Sequence, residues 1–176
     1  DVLVVHLESF HTKDVALRVI SEAKAHNVPV VIVGDCTEEI EGCFYVIPDY
    51  DTPFKQLMSH VISEHGARNT YFIAGRKGLD ISDRRISCYR QALEENGIEF
   101  DESRVGYGDF WAGPVREIVE ELTKDGRKPP QAIFCANDYM AIAACERLNE
   151  LGFSVPRDVI VTGFDGVPAA EFFTPR

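Results

Sequence analysis

Polar side chains follow two strongly apolar runs of the sequence, where a buried strand would end. Asn137 and Asp138 come directly after the run 133–136, and Asp165 comes directly after the run 159–164. Other predicted strands are also followed by polar residues, at Glu8, Ser9, Asp35 and Arg76. Because this set mixes carboxylate, amide and guanidinium groups, it suits hydrogen bonding to a small hydroxylated ligand better than to a phosphate.

Each of these residues also has a purely structural explanation. Either Asn137 or Asp138 can cap the helix that is predicted to begin there, because both side chains offer an oxygen to the free N–H groups of the first turn. Asp165 can be an ordinary turn residue. Arg85 falls in the first turn of another predicted helix, a position that a surface arginine tolerates despite the helix dipole. For each residue considered alone, the structural role is favoured over ligand binding.

Two aromatic residues, Phe110 and Trp111, lie in a predicted loop within "YGDFWAGP". A flat apolar ring near the end of a strand matches the C–H face of a sugar, which favours stacking on a ligand. A ring in this position can equally fill the edge of the core. The local sequence leaves both interpretations open.

The motifs of common enzyme classes are missing from the sequence. It contains no phosphate-binding loop and no nucleophile elbow, and the glycines at 106 and 108 lack the third glycine of a dinucleotide fingerprint. The spacing of His6 and His11 does not match a metal site on a strand or a helix. We therefore expect a protein that is not an enzyme and that needs neither a metal nor a cofactor.

The elements that must position these residues alternate along the chain. Strands are predicted at 1–7, 28–34, 43–48, 70–75, 104–108, 132–136 and 159–164, and helices at 12–27, 52–66, 83–96, 113–122 and 138–151, with Thr12, Thr52 and Gly152 as helix ends. This alternation predicts an α/β fold of parallel sheets with helices on both faces. The strands are continuous apolar runs, as burial on both faces requires. Ligands of such folds bind beyond the carboxyl ends of the strands.

Composition restricts the partners and the compartment. The 176 residues carry a formal net charge of -11, so this chain is a poor candidate for touching nucleic acid itself. No apolar run approaches the about 20 residues that a membrane span needs, and no signal peptide is evident. The five cysteines lack CxxC spacing, which favours reduced thiols in a cytoplasmic protein, with one disulfide such as Cys36–Cys43 left open.

The stretch 132–166 resembles the most characteristic segment of the lactose-repressor/galactose-repressor family. In that pattern a strand runs into Asn-Asp, a helix rich in Met and Ala follows, and then come Gly, Val-Pro-x-Asp and a strand ending in Gly-Phe-Asp. The upstream segments "NVPVVIVGD", "VIPDYDTPFKQLMSHVISEHGARNTYFIAG" and "SDRRISCYRQALEENGI" are similar to other parts of the same family. The resemblance covers nearly the whole chain.

The resemblance implies a two-lobed fold of the periplasmic-binding-protein type, which closes by a hinge over a small ligand. Residues 1–66 would be an incomplete amino-terminal lobe, residues 67–165 the carboxyl-terminal lobe, and residues 166–176 the start of the return crossover. The implied ligand contacts are hydrogen bonds from Arg85, Asn137 and Asp165 and stacking by Phe110 with Trp111 beside it. Asp138 would then be the helix cap.

The function that the resemblance implies is sensing of a sugar-like or polyol effector by a bacterial, cytoplasmic transcriptional regulator. DNA would be contacted only through a separate domain outside these residues, the full-length protein would be a homodimer, and no membrane would be involved. Two alternatives remain open at this point: a sensor fused to another signalling output such as a diguanylate cyclase, and the solute-binding protein of a transporter.

Overall fold

The computed structural model describes residues 1–6, 13–34 and 39–174. The strands are β1 (Leu3–His6), β2 (Val30–Val33), β3 (Phe44–Val46), β4 (Thr70–Ala74), β5 (Val105–Tyr107), β6 (Ala132–Cys135) and β7 (Ile160–Thr162). The helices are α1 (Lys13–Ala25), α2 (Asp51–Glu64), α3 (Asp80–Glu95), α4 (Ala112–Thr123), α5 (Asp138–Glu150) and α6 (Pro168–Glu171). The expectations for Glu8, Ser9, Thr12, Asp35 and Cys36 lie outside the described residues.

The chain divides into two compact units, Asp1–Tyr50 and Asp51–Arg176. In the first unit, β1, β2 and β3 form a parallel sheet in that order. Its core joins Val5 and Ile32 of the sheet to Ile20 of α1, and each of these side chains is at most 2% exposed. Because Ile20 lies one helical turn after the buried Ala16, α1 presents a single apolar stripe to this core.

The second unit is built on a four-stranded parallel sheet in the order β5-β4-β6-β7. Its central strands are predominantly apolar, and Phe72 pairs in register with Phe134, both fully buried. The chain moves from β4 to β5 in one direction and from β5 through β6 to β7 in the other. Since such crossovers are right-handed, α3 covers one face of the sheet, and α4 and α5 cover the opposite face. The predicted α/β class is therefore confirmed.

Two helices begin earlier than predicted. Helix α2 starts at Asp51, so Thr52 is inside the helix and is not its cap. Helix α3 starts at Asp80, which places Arg85 in the second turn and not in the first. Since α2 packs against α3, it belongs to the second unit, whereas the sequence placed all residues up to 66 in the first lobe.

The thiols of Cys88, Cys135 and Cys145 are free and buried. Burial raises the pKa of Cys145 to about 11 and that of Cys135 well above its ordinary value, so both thiols stay protonated at neutral pH. Among the described residues, no helix combines the length and apolarity that crossing a bilayer demands. The same residues contain no group of three or more side chains arranged to hold a metal ion.

Candidate functional site

The carboxyl ends of the four strands of the second unit lie along one edge of the sheet, because all four strands are parallel. We call this the carboxyl edge. Gly75 follows β4 there, Phe110 follows β5, Asn137 follows β6 and Asp165 follows β7. Connections leave β4 and β6 in opposite directions, so a topological switch point lies between these two strands. Ligands of open α/β sheets bind at such a point.

Asn137 is the N-cap of α5. Its backbone is extended, with φ -148°, and its Oδ1 accepts a hydrogen bond from the Met140 N–H at 2.9 Å. The prediction that Asp138 caps this helix is wrong, because Asp138 is already the first helical residue. Capping engages the oxygen of the Asn137 amide, and its Nδ2 donates to no protein group within the described part of the chain. The donors of Nδ2 therefore remain free for a ligand.

Arg85 is a charged group held firmly at this edge, with only 8% of its surface exposed. Its Nη1 donates to the Ala136 carbonyl, and its Nη2 lies 3.2 Å from Asp165 Oδ1. The guanidinium carbon is 5.5 Å from the ring centroid of Phe54 and 5.2 Å from that of Phe164. A desolvated guanidinium beside aromatic rings gains from their quadrupoles, so the rings and the two acceptors together fix its plane.

Sequence reasoning missed the aromatic partners of Arg85. Phe54 belongs to the apolar stripe of α2, since it is 2% exposed and packs edge-to-face with Phe164 at 4.9 Å. The aromatic residue before Asp165 in "GFD" was a signal that a ring would stand beside the carboxylate. Nothing in the local sequence of α2 distinguishes Phe54 from an ordinary core residue.

Asp165 lies in the segment that follows β7. Its backbone φ is 107°, a value that residues other than glycine rarely adopt. Its side chain remains 42% exposed although one oxygen accepts from Arg85. Burial raises the pKa of the Asp165 carboxyl, Arg85 opposes that rise, and the nearby Asp138 adds to it. Asp165 therefore combines an anchored oxygen with solvent-facing acceptor capacity.

The structure separates the two predicted aromatic residues. The Phe110 ring is half-buried and lies on Gly75, where an added Cβ would be 2.0 Å from Phe110 Cζ. Trp111 is 70% exposed and occupies the N-cap position of α4. Within the described residues, Arg85 contacts Asp165 directly, whereas no hydrogen bond or ring contact joins Trp111 to that pair.

Arg85 and Asp165, the pair at the centre of this edge, offer hydrogen-bond donors and acceptors but carry no net charge together. The positive charge of Arg85 is balanced by Asp165, and the free Nδ2 of Asn137 is neutral. Such a set can exchange hydrogen bonds with hydroxyl groups, while the rings of Phe110 and Trp111 offer apolar surface.

Comparison with known proteins gives the same fold. Residues 60–176 match the model of the periplasmic binding protein-like domain family. The complex of the transcriptional regulator CelR with cellobiose is similar over 97% of this chain and 50% of that chain, with TM-score 0.74 and 32% sequence identity. A sugar-binding transcriptional regulator of the LacI family from Escherichia coli, solved with phosphate, covers 98% of this chain and 59% of that chain, with TM-score 0.77 and 26% identity.

A curated relative, the HTH-type transcriptional regulator MalR of Clostridium butyricum, is 36% identical over 152 residues. That match covers 84% of this chain and 44% of the relative, so the chain spans less than half the length of that protein. The family pattern, the order of the strands and these similarities agree. The chain belongs to the lactose-repressor/galactose-repressor family, as part of its periplasmic binding protein-like domain.

Proposed function

We propose that this chain is the effector-sensing part of a cytoplasmic bacterial transcriptional regulator of the lactose-repressor type. Its effector is a neutral sugar or polyol bound at the carboxyl edge of the second unit. The observation that carries the proposal is the fixed guanidinium of Arg85, held by Asp165 and the Ala136 carbonyl beside the switch point. A guanidinium already oriented by the protein binds hydroxyl oxygens without a further ordering cost.

The roles of the other residues follow from their geometry. Asn137 donates through Nδ2 while its Oδ1 caps α5, and Asp165 accepts a hydroxyl proton through its exposed face. Phe110, fixed on Gly75, and the exposed Trp111 supply ring surface for the C–H faces of a sugar. Because Asp165 balances the charge of Arg85, an uncharged ligand is preferred over an anion of the same size.

The output of the sensor is DNA binding through a separate domain. The relatives named HTH-type transcriptional regulators favour this output over a fused diguanylate cyclase or a transporter. The net charge of -11 agrees with a chain that leaves phosphate contacts to another part of the protein. We further propose that the full-length protein is a homodimer.

A thermal-shift screen tests the proposal. The full chain is heated with a panel of neutral sugars and polyols that includes cellobiose, and with inorganic phosphate as the anionic comparison. A ligand at about 100 times its Kd stabilises the folded state by about 2.7 kcal/mol, which is an easily measured rise in Tm. We expect at least one neutral sugar to raise Tm and phosphate to have less effect. A larger rise with phosphate than with every sugar would contradict the proposal.

A further inference from the structure

Asp138 contacts the segment 163–167, which carries Asp165, at three points. Its backbone N–H donates to the Phe164 carbonyl at 2.9 Å, and its Oδ2 accepts from the Val167 N–H at 2.8 Å. Its Oδ1 lies only 2.3 Å from where a Cβ on Gly163 would stand, so the carboxylate rests against that glycine. These contacts hold the chain on both sides of Asp165.

The segment 163–167 needs such support. Asp165 has φ 107°, a value that costs free energy for a residue with a side chain, and Gly166 follows with φ 70°. A backbone in this region persists only where its surroundings hold it in place. The hydrogen bond that Asp138 donates to Phe164 and the one that it accepts from Val167 supply that restraint directly.

The helix itself does not require the Asp138 carboxylate as a cap, because Asn137 already caps α5. Asp138 is only 8% exposed, and a carboxylate this buried is costly unless its oxygens are satisfied. One oxygen is satisfied by the Val167 N–H, and the start of α5 favours the negative charge. The side chain therefore links the first turn of α5 to the segment after β7.

We propose that Asp138 is a positioning residue that holds Asp165 in the conformation in which it meets Arg85 and a ligand. The part concerning ligand rests on the proposed function, whereas the positioning of the Arg85–Asp165 pair does not. Asp138 thus connects the start of α5, which Asn137 caps, to the segment that carries Asp165.

The test measures how strongly Arg85 and Asp165 depend on each other, without any ligand. Tm is measured for the full chain, for Arg85→Gln, for Asp165→Asn and for the double variant, and the non-additive part is their coupling. We expect a coupling of about 2 °C for a partly buried pair in a domain of this size. In an Asp138→Ala background the coupling should fall to about zero, because Asp165 is no longer held in place.

The same coupling is measured in two further variants, which show whether its loss is specific to the hydrogen bond that Asp138 accepts. Asp138→Asn keeps an oxygen that can accept from Val167 and should retain the coupling. Asp158→Ala is the matched control, since Asp158 also accepts from a backbone N–H, that of Ser154 at 2.7 Å, but precedes β7. If Asp138→Ala does not fold, Asp138→Ser replaces it, because a serine hydroxyl is too short to reach the Val167 N–H.

The proposal is overturned if the Arg85–Asp165 coupling is undiminished with alanine or serine at position 138. It is also overturned if Asp158→Ala reduces that coupling equally, or if the unchanged protein shows no coupling. Because no sugar is present, these outcomes are independent of the thermal-shift screen. A failed screen with an intact Asp138 effect would contradict the proposed function and leave the positioning role supported.

Discussion

Arg85 and Asp165 are 80 positions apart in the sequence, yet Arg85 Nη2 lies 3.2 Å from Asp165 Oδ1 at the carboxyl edge of the second sheet. The same guanidinium donates to the Ala136 carbonyl at the end of β6. One side chain of α3 thus connects the ends of two strands that it does not itself follow. This connection pre-forms the centre of the proposed effector site.

The pH dependence of stability should reveal the raised pKa of Asp165. A carboxyl whose pKa is higher in the folded state than its ordinary value of 3.8 binds its proton more tightly when folded. The Tm of the unchanged protein should therefore fall relative to that of Asp165→Asn as pH rises above about 3.8, until the folded-state pKa is passed. The measurement is Tm of both proteins between about pH 3.5 and about pH 6.5.

Asp158 provides a control of opposite sign for this pH series. Its hydrogen bond from the Ser154 N–H lowers the pKa of the Asp158 carboxyl. The unchanged protein should therefore gain stability relative to Asp158→Asn as pH rises from the folded-state pKa of Asp158 to its ordinary value of 3.8, so this series is extended to lower pH. If the unchanged protein also gained stability relative to Asp165→Asn as pH rises, pairing with Arg85 would outweigh burial in setting the pKa of Asp165, and the prediction would be wrong.

The cap and the ligand role of Asn137 can be separated by one substitution. Asn137→Ser keeps an oxygen for the Met140 N–H, and serine and asparagine are about equally good caps, so Tm should change by about 1 °C or less. The Nδ2 donors are lost, and sugar affinity should fall by about 3- to 10-fold, as for one neutral hydrogen bond. Calorimetric titration measures this loss.

Asn137→Ala is the comparison for the cap, since it removes both functions and should also lower stability by about 1 kcal/mol. Full sugar affinity in Asn137→Ser would show that Asn137 serves the helix alone.

Gly75 should be essential for the position of the Phe110 ring. In Gly75→Ala the new methyl group would overlap the ring, so Phe110 must move or the strand end must shift, at a cost of about 1–3 kcal/mol in the free energy of unfolding. Adding Phe110→Ala removes the overlap, and the penalty of the Gly75 change should then largely disappear. Denaturant unfolding of the single and double variants measures this.

Gly113→Ala is the matched control for Gly75, because an added Cβ at position 113 meets no atom within 4 Å. That change should be neutral or slightly stabilising, since alanine favours the helix in which Gly113 lies. Equal destabilisation by the two substitutions would contradict the role assigned to Phe110.

The order of strands and helices was predictable because each element depends on local patterns. Strand β6 is a continuous apolar run and β4 is one after Thr70, and their burial on both faces of a parallel sheet accounts for this. The helix starts were less accurate. Asp51 and Asp80 are acidic residues that suit a first turn, but they lie outside the apolar stripe from which the helices were recognised.

The site could be predicted only in part. The family resemblance supplied the residues, but the contacts between Arg85, Phe54 and Phe164 join segments far apart in the chain. The sequence also did not show which of Asn137 and Asp138 caps α5. Both side chains carry a suitable oxygen, and the decision depends on which residue has the extended backbone at the junction.

Calorimetric titration of Arg85→Lys tests the central claim most directly. The titrant is the neutral sugar that gives the largest rise in Tm, and the matched control is Arg84→Lys, the neighbouring arginine on α3 that pairs with Asp51 at 2.9 Å. Lysine keeps the charge but not the planar fork, so Arg85→Lys should weaken binding by about 10-fold or more, while Arg84→Lys should leave it unchanged. Equal affinity in the two variants would contradict the assignment of this edge as the effector site.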